Sequence, residues 1–108
     1  MQRGEVRWFR FQRPDKARPV LILTRDSAIS YLGEITVAPI TTTIRDIPSE
    51  VMLGRGDGMP RECAVNLDHV QTVARGKIGS LVATLGPGKM AEVRRALLFA
   101  LGYRESAA

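Results

Sequence analysis

The chain has 108 residues, of which 44% are hydrophobic, 25% charged and 6% aromatic. Those proportions fit one globular domain, 1–108, and exclude a disordered chain. The single cysteine, Cys63, excludes a disulfide scaffold; with only one histidine beside it, the three or four ligands of a zinc site are also missing.

The longest apolar run covers residues 96–101, far short of the ~20 residues that a bilayer span needs. The opening Met1-Gln2-Arg3-Gly4-Glu5 carries no apolar signal segment. A cytoplasmic protein without membrane contact is expected. The net charge of +5 is unevenly spread. Arg3, Arg7, Arg10, Arg13, Lys16, Arg18 and Arg25 face only Glu5 and Asp15 in the first quarter, and the remainder is neutral. Such asymmetry favours a polyanionic partner, because each phosphate neutralised releases counterions.

In chain order, residues 5–11 alternate, with Val6 and Trp8 on one side and Phe9 and Phe11 on the other, which predicts a strand. Residues 12–18 are polar, contain Pro14 and Asp15, and read as a loop. Pro19 opens the run Val20-Leu21-Ile22-Leu23, branched enough for a buried strand. Asp26-Ser27 is expected to cap one helical turn reaching Tyr31. Residues 34–40 form a third strand leading into Thr41-Thr42-Thr43, and residues 50–53 a fourth. The glycine-rich Gly54-Arg55-Gly56-Asp57-Gly58 that follows is a hairpin loop; it lacks the ending and the following helix of a phosphate-binding loop.

Residues 62–67 alternate, with Cys63, Val65 and Leu67 on one face and Ala64, Asn66 and Asp68 on the other. Residues 69–73 continue that strand past a bulge, and residues 78–85 form a further strand interrupted by Gly79. The last element is a helix. Gly86 stands at its N-cap, Pro87 occupies the first turn, where a missing N–H costs nothing, and Gly102 marks the stop. Met90, Val93, Leu97 and Leu101 recur at helical spacing as its buried face. Short strands ending in one helix predict a mainly β fold, a small antiparallel barrel with the helix packed against it.

Few residues carry chemistry. Cys63 alternates in phase with core residues, so its thiol is expected inside and protonated, which argues against a Cys63–His69 nucleophilic pair. Histidine is the side chain that titrates nearest neutrality, which makes His69 the obvious acid–base candidate. Arg18 precedes Pro19, and a residue before proline is held extended. That places a guanidinium at a strand entrance, suited to bidentate grip on phosphate. Thr41-Thr42-Thr43 leaves a strand and offers hydroxyls to the same kind of ligand.

Five ordered segments carry a resemblance. They are Arg3-Gly4-Glu5-Val6-Arg7-Trp8; Arg18-Pro19-Val20-Leu21-Ile22-Leu23; Val37-Ala38-Pro39-Ile40-Thr41; Leu67-Asp68-His69-Val70-Gln71-Thr72-Val73; and Leu85-Gly86-Pro87-Gly88-Lys89-Met90 followed by Val93 and Ala96-Leu97. Together they resemble the MazF/PemK (Kid) toxin endoribonucleases from residue 2 to about residue 102. The resemblance implies an SH3-like barrel of the kind shared with CcdB, a homodimer, no cofactor and no metal. It also implies single-stranded RNA as substrate, cut at short sequences by the RNA's own 2′-hydroxyl, with a 2′,3′-cyclic phosphate and a 5′-hydroxyl as products.

Arg18 matches the arginine of the family's Arg-Pro motif, and Thr41 the threonine that ends its Pro-Ile-Thr motif; both are expected to be catalytic. Arg13, Lys16, Asn66 and Gln71 are expected to contact RNA. The loop over residues 12–17 is shorter than in many relatives and offers only Asp15 for acid–base work. The later strand keeps Asp68 but not the arginine of an Arg-x-Asp, and His69 stands where relatives often carry glutamine. Asp15, Asp68 and His69 are therefore the acid–base or RNA-contact candidates.

The implied partners are a cognate, acidic MazE-like antitoxin, which the basic first quarter suits, and DNA only through the antitoxin complex. The alternative is a non-catalytic binder on the same barrel, either an RNA-binding module or a CcdB-like gyrase poison. The chain lacks the C-terminal Trp-Gly-Ile of such poisons.

Overall fold

The structure is a computed structural model that describes residues 1–10 and 17–104. The expected strand position of Phe11, residues 12–16 of the expected loop and the candidates Arg13, Asp15 and Lys16 lie outside the described residues.

Among the described residues seven strands and two α-helices follow in order: β1 (Glu5–Arg10), β2 (Ala17–Ile22), α1 (Asp26–Ile29), β3 (Glu34–Thr41), β4 (Glu50–Leu53), β5 (Cys63–Asn66), β6 (Gln71–Ala74), β7 (Ile78–Thr84) and α2 (Pro87–Ala100). Every pairing is antiparallel, in the order β4-β5-β3-β2-β1-β7, with β6 also on β3. The result is the mainly β, curled sheet with a C-terminal helix that the residue pattern predicts.

The centre of this sheet is apolar on both sides. Leu21, Leu23, Ala38 and Ile40 face one cluster, which Val51, Leu53, Val65 and Leu67 join and α2 covers through Val93 and Ala96. Val20, Ile22, Ile35 and Val37 face a second, with Phe9, Ile29 and Val73. Because side chains alternate along a strand, β2 and β3 feed both clusters at once, which explains their near-continuous apolar runs.

Four expectations are corrected. First, Arg25, not Asp26, holds the N-cap position of α1, and no side chain caps it. The Asp26 Oδ1 atom instead accepts a 2.6 Å hydrogen bond from the Arg3 backbone N–H, tying down the N-terminal segment. Second, β5 stops at Asn66, and Leu67–His69 is a 3-10 turn rather than a bulged strand. The Asn66 side chain accepts from the Asp68 N–H at 3.0 Å, a local bond that competes with the sheet ladder.

Third, β2 begins at Ala17, so Ala17 and Arg18 belong to the strand and not to the loop expected over residues 12–18, because both pair with β1, opposite Arg10 and Phe9. Fourth, Leu101 is 60% exposed, since α2 ends one residue earlier and the chain turns at Gly102 (φ +80°).

Gly54–Gly58 is part of the connection between β4 and β5, as expected, and holds a 3-10 turn at Arg55–Asp57. The Asp57 carboxylate accepts from the Gly54 N–H at 2.9 Å. The turn closes at Gly58, whose φ is +91°, and a Cβ there would stand 3.1 Å from the Ala83 Cβ. Both the backbone and the space demand glycine. Gly58→Ala should cost about 1–2 kcal/mol, read as a lower midpoint in urea unfolding.

One ion pair ties the first strand together. Burial by itself would raise the Glu5 carboxyl, but hydrogen bonds from the Arg7 guanidinium at 2.7 Å and the Gln2 N–H at 3.1 Å, with the Arg7 charge, hold it below its ordinary value of 4.5. Its folded pKa lies below its unfolded one, so the unfolded chain takes up the proton first. Stability from this pair is therefore complete above pH 4.5 and is lost as pH falls through the folded value. Glu5→Gln should flatten the acid limb of a melting-temperature profile and leave its neutral region level.

Candidate functional site

Two clefts open side by side where β2 enters and β3 leaves the sheet. The first, of ≈ 420 Å³, is walled by Trp8, Pro19, Met59, Pro60 and Arg61; the second, of ≈ 290 Å³, by Arg45, Glu50, Asn66 and His69. Arg18, Ile40, Thr41 and Thr43 line both.

The strand register explains the meeting of Arg18 and Thr41. Val20 lies opposite Pro39 on the antiparallel pair β2–β3, and the same count carried two residues outward sets Arg18 against Thr41. Arg18 is exposed, held extended by Pro19, and has no side-chain hydrogen bond or ion pair among the described residues. Among the described residues nothing competes with an anion for its five N–H donors. The Thr41 Oγ1 accepts from the Thr43 N–H at 3.0 Å, which closes the turn. Its hydroxyl proton remains to be donated into the cleft. The turn and ligand roles of this threonine are compatible.

Residues 42–50 are shaped by a carboxylate that the sequence reading missed. Glu50 Oε1 accepts from the Arg45 N–H at 2.9 Å and the Asp46 N–H at 3.2 Å. Asp46 lies at φ +55°, a conformation uncommon outside glycine, asparagine and aspartate. The grip of Glu50 on these two amides holds Arg45 and Thr43 at the cleft.

The remaining candidates separate. His69 is exposed at the end of the 3-10 turn and lines the second cleft together with the half-buried Asn66. Asp68 points elsewhere: its Oδ2 accepts from the buried Ser49 hydroxyl at 2.5 Å, and it lines neither cleft. Gln71 sits exposed on β6 opposite Val37, away from both. Arg3, Arg7 and Arg25 are occupied elsewhere, on the Leu23 carbonyl, on Glu5 and the Gly79 carbonyl, and on the Tyr31 hydroxyl. Of the basic first quarter, Arg18 alone among the described residues reaches the clefts. The other cations there, Arg45 and Arg61, come from the neutral stretch.

A family model described as PemK-like, MazF-like toxin of type II toxin–antitoxin systems matches residues 2–101. The chain belongs to the PemK/MazF toxin family. It is 46% identical over 101 residues to the probable endoribonuclease MazF5 of Mycobacterium tuberculosis, covering 92% of this chain and 87% of that relative. Among solved structures, the M. tuberculosis toxin MazF-mt6 superposes with a TM-score of 0.86 at 32% identity, over 94% of this chain and 99% of that one. A mycobacterial endoribonuclease in complex with its cognate antitoxin gives 0.86 at 26% identity, over 98% and 99%. Relatives named for endoribonuclease activity do not favour a gyrase poison or an inactive binder.

Cys63 contributes to the wall of the first cleft but is only 3% exposed. Burial pushes its thiol pKa up, and the nearby Asp57 charge pushes it further. A thiol kept protonated is a poor nucleophile. Iodoacetamide at neutral pH should alkylate Cys63 slowly in the folded chain and rapidly in urea, followed by mass spectrometry.

Proposed function

We propose that this endoribonuclease toxin cuts single-stranded RNA with the scissile phosphate seated between Arg18 and Thr41, without a metal ion. The observation that carries the reading is the shared wall: one guanidinium without a partner among the described residues and one hydroxyl donor line both of two adjacent clefts.

The substrate's 2′-oxygen attacks the adjacent phosphorus, forming the P–O2′ bond as its proton departs to a base. The P–O5′ bond breaks, and the leaving 5′-oxygen takes a proton from an acid. The products are a 2′,3′-cyclic phosphate and a 5′-hydroxyl. Negative charge grows on the non-bridging oxygens in the transition state. Arg18 and the Thr41 hydroxyl are aimed there, so their interactions strengthen as the reaction proceeds.

His69 is the acid–base residue, because it lines the second cleft beside Arg18 and Thr41, whereas Asp68 is committed to Ser49. Asp68 then serves as a positioning residue for the turn that carries His69. Asn66 contacts RNA from the same wall. Gln71, exposed on β6, contacts only RNA that extends beyond the clefts.

The partners follow from the same reading. The chain acts in the cytoplasm as a homodimer and is neutralised by an acidic MazE-like antitoxin, with DNA engaged only through that complex. The mycobacterial structural relative solved with its antitoxin supports the antitoxin assignment. Among the described residues no helix is long and apolar enough to cross a membrane.

Digestion of a long single-stranded RNA in excess EDTA tests the proposal. The wild type should leave cyclic-phosphate and 5′-hydroxyl ends, and Arg18→Ala and Thr41→Val should each slow cleavage roughly a hundredfold. Intact RNA, or Arg18→Ala cutting at the wild-type rate, would overturn it.

A further inference from the structure

Trp8 is the only tryptophan in the chain, and it is 43% exposed in the middle of β1, between Val6 (0%) and Phe9 (6%). Its exposure is built by the sheet. Across β1 and β7 the register changes from Arg7 opposite Leu81 to Phe9 opposite Ile78, so Gly79 and Ser80 together face Trp8. An extra residue of this kind bends the strand and redirects a side chain. The Arg7 Nη1 donates to the Gly79 carbonyl at 3.0 Å, which pins the irregular segment. A Cβ on Gly79 would come 3.4 Å from the Trp8 carbonyl oxygen and 3.7 Å from its Cβ, so the missing side chain lets the two backbones close up. On its other side Trp8 lies opposite Pro19 in β2, next to Arg18.

The indole therefore stands in the first cleft with Pro19, Met59, Pro60 and Arg61, against the wall that Arg18 and Thr41 form. The second cleft differs in chemistry. It presents the Asn66 amide, the Glu50 carboxylate, His69 and Arg45, groups that hydrogen-bond to base edges.

We infer that the first cleft is a base-stacking subsite, in which the indole of Trp8 takes the face of the nucleobase on one side of the scissile phosphate and the Arg61 guanidinium adds a cationic contact. Every base has a π-face, so this subsite contributes affinity with little sequence preference, while the second cleft discriminates. The cleft's ≈ 420 Å³ lies within the range of small-molecule sites. The inference rests on the proposed seating of the phosphate between Arg18 and Thr41.

The full-length chain can report on this directly, since all of its tryptophan fluorescence comes from Trp8. The probes are a mixed-sequence 2′-O-methyl RNA oligomer, whose capped 2′-oxygen cannot attack, and an oligomer of the same length and charge made of abasic 2′-O-methyl ribose phosphates. Each carries a terminal dye for anisotropy. The base-bearing oligomer should quench Trp8, and the abasic one should not. Trp8→Ala should weaken the base-bearing oligomer roughly tenfold to a hundredfold and leave the abasic one unchanged. Trp8→Phe, which keeps an aromatic face, should retain most of that affinity and thereby guard against a folding defect.

Base-bearing RNA that binds by anisotropy without quenching, or with equal affinity to Trp8→Ala, would overturn the stacking subsite and leave the nuclease reading intact. Loss of the seating itself reads differently: Arg18→Ala would then bind both oligomers as tightly as the wild type.

Discussion

Strand β3 is the constraint from which the rest of the molecule follows. One of its edges is hydrogen-bonded to β2, and the other first to β6 and then to β5. Its faces feed two separate apolar clusters. A strand held on both edges and both faces has almost no freedom of register, because a slip of one residue would exchange its two sets of side chains between clusters of different shape. That rigidity is passed to its last residue, Thr41, and across the register to Arg18 on β2. The proposed seating of a phosphate between these two residues would draw on that rigidity.

Around this fixed pair the structure spends its side chains in two ways. Three of the five described arginines in the basic first quarter support the fold: Arg3 and Arg7 satisfy backbone carbonyls, Arg7 also holds Glu5, and Arg25 reaches Tyr31. Arg18 is left without such a partner among the described residues. A guanidinium already paired with a carboxylate would have to give up that partner before gripping RNA, whereas one kept in solvent has only water to displace. Net charge is thus a misleading guide to the site. What matters is which cations the fold leaves unspent, and Arg45 and Arg61 qualify although they come from a neutral part of the chain.

The positions of the strands along the chain, the C-terminal helix and its Gly86–Pro87 entrance were legible because alternation, branched runs and terminal signals agree there. The nearness of Arg18 and Thr41 was suggested by the proline after one and the strand end under the other, and both line the same clefts. The departures have local causes. Asn66, Asp68 and His69 look like strand residues by alternation, yet a side-chain-to-backbone bond from Asp68 to Asn66 wins over the ladder and turns the chain.

Nothing local predicts that Glu50 grips the amides of Arg45 and Asp46, since a glutamate opening a strand is ordinarily a solvated charge. Trp8 lines the first cleft with Ile40, Met59 and Cys63, members of the cluster that holds Val6, as alternation predicts, yet it stays 43% exposed. Its exposure depends on how many residues β7 places opposite it, and that is decided by a strand some seventy positions later in the sequence.

The two clefts share their floor but not their far walls. One is completed by the connection between β4 and β5, through Met59, Pro60 and Arg61; the other by the loop after β3 and the turn after β5. Connections tolerate replacement far better than strands do. Exchange of those outer segments would reshape either cleft while leaving the strand ends that carry Arg18 and Thr41 in place.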